Sequence, residues 1–255
     1  MSIRFEHDGA VGRVLIDRSA RRNAMTLSMW RELSRVLIEA MRLPELRVLT
    51  LQAADGTTAF CAGADLRELI DHADDADWLA DYRDALFEAQ RRLAGFDLPT
   101  IAFVAGDCIG AGCAMATACD VRIAAPQARF AITPARLGLI YPFHDTRRMV
   151  HLIGPGQARR LLFTGEWIDV AEARAIGMIE AVASGPERME RRMAVNAPTS
   201  NRAMKAMVDR VINGQTQEDA WTNATFTNAF AGPDFQEGAD AFLRKRPPNF
   251  SDSGG

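Results

Sequence analysis

No stretch of this 255-residue chain stays apolar for the length of a membrane span, which excludes a spanning helix. Met1–Gly12 mixes acidic and basic side chains without an apolar core, a pattern that predicts no secretory signal. Excess positive charge is missing as well. The net charge is −3, with 30 basic residues against 33 acidic ones, so nothing electrostatic points to nucleic acid or an anionic membrane as partner. Lysine occurs only as Lys205 and Lys245, and arginine supplies the rest of the basic charge. Cysteine is scarce: Cys61, Cys108, Cys113 and Cys119 sit among apolar or small residues and lack zinc-ligand spacing. A chain of this size has no need of disulfide staples, so the thiols read as small buried hydrophobes in a reducing cytoplasm. No Ser/His/Asp order and no metal-ligand cluster is evident. The glycine-bearing stretches end without the Lys-Ser/Thr of a phosphate loop and without dinucleotide GxGxxG spacing.

What is present is an ordinary globular composition, 48% hydrophobic and 25% charged, long enough for a large core in one domain plus an appendage. The most informative stretch is Ile101–Asp120. A β-branched run, Ile101–Ala105, meets the glycines Gly106, Gly110 and Gly112, then an Ala/Cys/Met segment of helical composition. That pattern predicts strand, tight turn and buried helix. A helix beginning near Gly110–Gly112 presents unpaired N–H groups, which suit an anion or an oxyanion that develops during reaction. Taken alone, this stretch reads first as a plain crossover without a site. A second stretch of the same kind lies upstream: Phe60-Cys61-Ala62-Gly63-Ala64-Asp65-Leu66 follows the apolar strand Arg47–Ala53 and opens a helix capped by Asp65. Two such loops can converge on one oxygen from two sides.

Together, Phe60–Asp65 and Ala105–Cys113 resemble the paired loops of the crotonase, or enoyl-CoA hydratase/isomerase, superfamily. The resemblance continues through Arg22–Met25, Cys119-Asp120, Phe130–Gly138, Leu152–Gly154, Leu162–Gly165, Ala171–Gly177 and the tail Glu237–Arg246. It implies an α/β fold, a crotonase-like spiral of ββα units with an α-helical C-terminal trimerisation region, where periodicity alone says only α/β. On this reading residues 1–195 form the spiral core with the acyl-CoA site, and residues 196–255 the helical oligomerisation region. The partners implied are an acyl-CoA substrate and further copies of the chain, as a trimer or a dimer of trimers. No cofactor is implied beyond the coenzyme A of the thioester, and no metal.

The element pattern agrees. A hairpin is expected across Asp8-Gly9, then a helix capped by Thr26 or Ser28 with a stripe of Met29, Leu33, Val36, Leu37 and Ala40. Asp71–Gly95 reads as an acidic stretch followed by a helix carrying Trp78, Tyr82, Leu86, Ala89 and Leu93. Short strands are expected at Val121–Ala124 and Arg129–Ile132. Beyond Gly154 the chain reads as almost wholly helical, with the stripes Met204, Met207, Val208, Val211 and Trp221, Ala224, Phe230. His72 reads as solvated, His7 and His151 as surface or structural, and Asp65 and Asp120 as structural acids.

By motif matching, the resemblance assigns the two oxyanion donors to the backbone N–H groups of Ala62 and Ala111. It sets the coenzyme against Ala24, Ala62, Gly63, Ala64, Asp65, Leu66 and Gly110. Lys245 and Phe250 sit where relatives reach towards the coenzyme, although a helix end and tail explains them too. Hydratases of the family also use two glutamates to move protons to and from water; here those positions hold Ala114 and Pro134. Thr133–Tyr141 is similar instead to the TPxxLGxxY stretch of methylmalonyl-CoA decarboxylase-like members, with a departure at Ala64, where those carry histidine. Tyr141 then orients a carboxylate or supplies a hydrogen bond. His144 offers a proton carrier at neutral pH, or a pocket wall. Asp145 reads either as its partner or as the N-cap of the next helix, and consecutive helical residues do not ordinarily face each other. The implied activity is acyl-CoA processing through a thioester enolate, with isomerase, decarboxylase-like or atypical hydratase outcomes open. A non-catalytic acyl-CoA-binding member is the alternative, and a ligand-free structural trimer a third.

Overall fold

The computed structural model describes residues 2–250. Strands β1 (Ile3–Asp8) and β2 (Val11–Ile16) form the expected hairpin. Helix α1 (Leu27–Ala40) is capped by Thr26, whose Oγ1 accepts from the Met29 N–H, and its predicted stripe is buried. Next come β3 (Val48–Ala53), β4 (Ala59–Cys61), α2 (Leu66–Asp71) and α3 (Ala76–Ala94). The central stretch folds as β5 (Thr100–Val104), β6 (Asp107–Ile109) and α4 (Ala111–Ala118), so what reads as a glycine turn contains a short strand. Then follow β7 (Val121–Ala124), β8 (Arg129–Ala131) and α5 (Phe143–Thr164). Within α5, Gly154 at φ 75°, ψ 162° precedes Pro155 and divides the element into two helices.

Strand β9 (Trp167–Asp169), helix α6 (Val170–Ala175) and strand β10 (Ala181–Val182) lead to α7 (Glu187–Ala194), α8 (Pro198–Ile212), α9 (Ala220–Ala229) and α10 (Pro233–Leu243).

Two sheets result. One is six-stranded in the order β1-β2-β3-β5-β7-β10, the other four-stranded in the order β4-β6-β8-β9. Every pairing is parallel except the β1–β2 hairpin and the β8–β9 pair. Three times the chain lays one strand in the first sheet, the next in the second, and then adds helix: β3–β4–α2/α3, β5–β6–α4, β7–β8–α5. This is the spiral of ββα units. Trp30, Phe60, Phe96 and Phe130 are fully buried in the core between the layers. On the other face of the larger sheet, α7 covers Val48, Ile101, Phe103 and Ile123 through Met189 and Met193.

The C-terminal stripes are less sheltered than their composition suggests. Met204, Val208, Val211 and Phe230 are all more than half exposed on the single chain. Asp120 has the structural role expected of it, accepting from the Thr100 N–H and hydroxyl and pairing with Lys205. His72 is not free in solvent: its ring stacks on Trp78, with centroids 4.4 Å apart. No described helix is long and apolar enough to cross a membrane.

Candidate functional site

Strands β4 and β6 are parallel neighbours, with Ala59 opposite Asp107 and Cys61 opposite Cys108. Parallel neighbours leave a sheet at the same edge, about 4.8 Å apart, so the loops Ala62–Asp65 and Gly110–Gly112 emerge side by side. A Cβ on Gly63 would lie 3.5 Å from Ile109 O, and one on Gly110 would lie 3.9 Å from Gly63 Cα. Gly63 has φ 102°, and Gly110 has φ 50°, ψ −104°. L side chains rarely adopt such torsions. In each loop, the peptide that follows the left-handed glycine carries an alanine N–H: Ala64 in the first and Ala111 in the second.

The expectation for Ala62 is corrected by its hydrogen bonding. Its N–H donates to Arg22 O at 3.0 Å, so it is committed within the protein. The Gly63 N–H is directed to Cys61 Sγ at 3.4 Å, and the Asp65 N–H donates to Met25 O at 2.8 Å. Between them, the Ala64 N–H has no partner among the described residues. Ala111, the first residue of α4, likewise keeps its N–H unpaired there, as the first turn of a helix must. Each loop that the sequence motif indicates holds an unpaired amide among the described residues; in the first, it lies two residues beyond the one indicated.

Both free donors belong to peptides gripped from the carbonyl side. Gly63 O accepts from the Met25 N–H at 2.8 Å, and Gly110 O accepts from the Ala114 N–H at 3.0 Å and the Tyr141 hydroxyl at 3.3 Å. The loop around Ala24 is stapled to the same place. Asn23, fully buried, donates through Nδ2 to Ala59 O at 2.9 Å, and Arg18 donates to Ala24 O at 2.8 Å while pairing with Asp65 at 2.7 Å. Asp65 also caps α2, accepting from the Arg67 and Glu68 N–H groups. Burial alone would raise its pKa, but the Arg18 hydrogen bond and the backbone donors outweigh burial and hold it below the usual carboxylate range. Leu66 and Ile70 follow on α2 with exposed side chains.

Beyond Tyr141, α5 begins at Phe143 with Pro142 as its N-cap, so Asp145 is not the cap. It is instead a carboxylate with 0% exposure in the first helical turn. Gln90 Nε2 donates to its Oδ2 at 3.2 Å, Arg148 Nη1 donates to its Oδ1 at 3.2 Å, and the same Arg148 nitrogen reaches Gln90 Oε1 at 3.1 Å. His144 and Asp145 do meet, although adjacent in the helix: Nε2 comes within 3.2 Å of Oδ1. The contact is not a hydrogen bond, and this buried nitrogen has no hydrogen-bond partner among the described residues. The ring also packs edge-on against Phe87 of α3, with centroids 4.7 Å apart. The imidazole nitrogen and the carboxylate are thus close neighbours with no hydrogen bond between them.

The positions expected to hold acids in hydratases are closed to that chemistry. Ala114 is buried within α4, and Pro134 opens the 3-10 turn Pro134–Leu137. Lys245 and Phe250 are not brought to the loops within the chain. Phe250 O accepts from Arg47 Nη2 at 3.1 Å, and its ring lies 3.7 Å from a Cβ position on Gly238. Arg47 precedes β3 of the larger sheet, whereas the loops follow β4 and β6 of the smaller one. All four cysteines are buried thiols; burial pushes Cys61 up to about 12, which leaves no thiolate for nucleophilic work. Gln90 and Arg148 escape the sequence reading. Gln90 falls on the apolar stripe of α3, between Ala89 and Leu93, and a polar residue on such a face is the signal that marks it.

The sequence profile of the enoyl-CoA hydratase/isomerase family matches residues 6–253. The short-chain-enoyl-CoA hydratase of Clostridium acetobutylicum is 30% identical over 250 residues, covering 95% of this chain and 94% of its own. The enoyl-CoA isomerase/hydratase of Mycosarcoma maydis is 30% identical over 258 residues, covering 93% and 91%. Among solved structures, the enoyl-CoA hydratase of Bacillus anthracis superposes with a TM-score of 0.90 at 27% identity, over 99% of this chain and 100% of its own.

Proposed function

The chain belongs to the enoyl-CoA hydratase/isomerase family, and from that premise we propose that it forms an enolate of an acyl-CoA thioester held by the N–H groups of Ala64 and Ala111. The observation that carries this reading is the pair of unpaired amides on side-by-side loops, each after a left-handed glycine. When a carbon next to the thioester loses a proton or a carboxyl group, negative charge collects on the carbonyl oxygen. Fixed donors aimed at that oxygen stabilise it most in the transition state, and removing one such donor costs about 10²–10³ in kcat. The N-terminus of α4 adds its partial positive charge.

Proton movement falls to His144, beside the Asp145 carboxylate that Gln90 and Arg148 hold in place. With Ala114 and Pro134 at the two acid positions, the reading favours chemistry that needs the enolate and one proton carrier. Double-bond isomerisation and decarboxylation both meet that description; glutamate-assisted water addition does not. The coenzyme lies along the Ala24 loop and Leu66. The exposed apolar faces of α8 and α9 serve as contacts to further copies of the chain, which light scattering on the purified protein tests directly.

The decisive experiment is exchange in heavy water. Purified protein is incubated with crotonyl-, 3-enoyl- and methylmalonyl-CoA in D2O, and the thioesters are analysed by mass spectrometry and NMR. Deuterium entering next to the thioester, or its equivalent in product, is the expected result. Tight binding of all three with neither exchange nor product overturns the enolate reading and leaves an acyl-CoA-binding protein.

A further inference from the structure

Tyr141 stands where a side chain is expected to meet the substrate, yet its hydroxyl is turned to the protein. Resting on the oxyanion reading above, we propose that Tyr141 is a positioning residue that tunes the Ala111 donor through the peptide between Gly110 and Ala111.

The Gly110 C=O and the Ala111 N–H are two ends of one planar trans peptide and point in opposite directions. Gly110 O accepts the Ala114 N–H at 3.0 Å on one side and the Tyr141 hydroxyl at 3.3 Å on the other. A peptide whose carbonyl accepts two hydrogen bonds cannot rotate without breaking one, and the donor at its far end stays aimed. Hydrogen bonds in series also polarise one another, by about 10–30% per bond, so a phenol on the carbonyl makes the N–H a better donor. The first loop has the same arrangement, with the Met25 N–H and the Cys61 thiol both donating to Gly63 O. Tyr141 supplies the second donor to the other loop. Its residue is 8% exposed, and burial, with the Asp145 charge nearby, raises the phenol well above its ordinary value. The group therefore remains a neutral donor throughout the working pH range.

The test reads carbonyl polarisation rather than turnover. A chromophoric cinnamoyl-CoA thioester absorbs at longer wavelength when its carbonyl is polarised, and an S-alkyl CoA thioether, which lacks the carbonyl, reports binding alone. Wild-type protein is expected to red-shift the thioester. Tyr141→Phe is expected to lose roughly a third to a half of that shift, a larger share than one cooperative bond alone because the peptide also loosens, while thioether affinity stays unchanged. An equal shift in both proteins overturns the role of Tyr141 and leaves the oxyanion reading standing. Parallel loss of thioether affinity assigns the hydroxyl to the shape of the site and also overturns it. Absence of any shift in the wild type removes the oxyanion reading and this inference with it. The phenylalanine variant keeps the Ala114 bond to Gly110 O, which protects the fold. Replacing Tyr141 with fluorotyrosines of rising acidity supplies an independent series of nearly unchanged shape, in which the shift must grow with donor strength; a flat series overturns the proposal.

Discussion

Gln90 and Asp145 join the two helices that flank the site: Gln90 Nε2 on α3 donates to Asp145 Oδ2 on α5 at 3.2 Å, with both residues at 1% exposure or less. Its carbonyl accepts from Arg148, so one amide serves both members of a half-buried ion pair. Replacing Gln90 with Leu leaves the carboxylate short of a donor and the guanidinium short of an acceptor. The expected loss is about 2–3 kcal/mol, the cost of buried polar groups left unsatisfied. Urea denaturation measures it, and a loss below about 0.5 kcal/mol, the scatter of ordinary surface changes, contradicts the network.

His144 carries the proposed proton transfer. His144→Ala is expected to lower kcat by about 10²–10⁴, the usual contribution of a positioned acid or base, with Kd for the thioester little changed. Stopped-assay kinetics beside equilibrium binding separate the two. A kcat near wild type hands the proton to another group.

Gly110 tests the backbone argument without crowding. A Cβ there meets nothing closer than Gly63 Cα at 3.9 Å, so Gly110→Ala is permitted by space and opposed by torsion, at φ 50°, ψ −104°. The strain of about 1–3 kcal/mol is relieved by turning the peptide, which takes the Ala111 N–H out of line. Deuterium exchange into the thioester is expected to slow about a hundredfold, as when an oxyanion donor is deleted. Full exchange activity with an unchanged melting temperature contradicts the proposed role of this amide.

These sites differ in how far the residues alone reveal them. The stripe of α1, the Asp65 cap and the break at Gly154-Pro155 are legible because local periodicity and capping chemistry decide them. The four-stranded sheet is hard to read because β4, β6, β8 and β9 are three residues each, too short for an alternation to register. Ala62 against Ala64 is harder again. Both are alanines in one loop, and only the long-range bond from the Ala62 N–H to Arg22 O distinguishes the used amide from the free one. The meeting of His144 with Asp145 depends on Gln90 and Phe87, which are far away in the chain and arrive only with α3.

Acid tests the tie between Arg18 and Asp65. Because the folded pKa of Asp65 lies below its ordinary value, the folded state binds this proton less readily than the unfolded chain. The stabilisation is therefore complete above the unfolded pKa of about 3.9 and is lost as pH falls through the lower folded value. Denaturation midpoints taken downwards from about pH 5 should fall more steeply for wild type than for Asp65→Asn, which has nothing there to titrate. Identical acid limbs contradict the shift.

Glu190 provides a control that touches stability and leaves the chemistry alone. It is 1% exposed on α7, receives Arg13 at 2.6 and 3.1 Å and the Thr50 hydroxyl at 2.8 Å, and its hydrogen bond is the main cause of the raised Arg13 pKa. Glu190→Ala strands a fully buried hydroxyl and frees a guanidinium whose side chain is 33% exposed. Breaking a buried pair costs about 3–5 kcal/mol, and the partial access of Arg13 to water places this one near the lower end. Alternate residues of a strand face opposite sides of a sheet: Thr50 lies towards α7, while Leu49 and Leu51 face the main core. The damage is thus confined to the face away from the paired loops. Calorimetry should show a lower melting temperature, while cinnamoyl-CoA binding and its red shift remain at wild-type values below the transition. A loss of red shift there would mean that the Ala64 and Ala111 loops depend on packing across the whole sheet, and that their hydrogen bonds do not fix them alone.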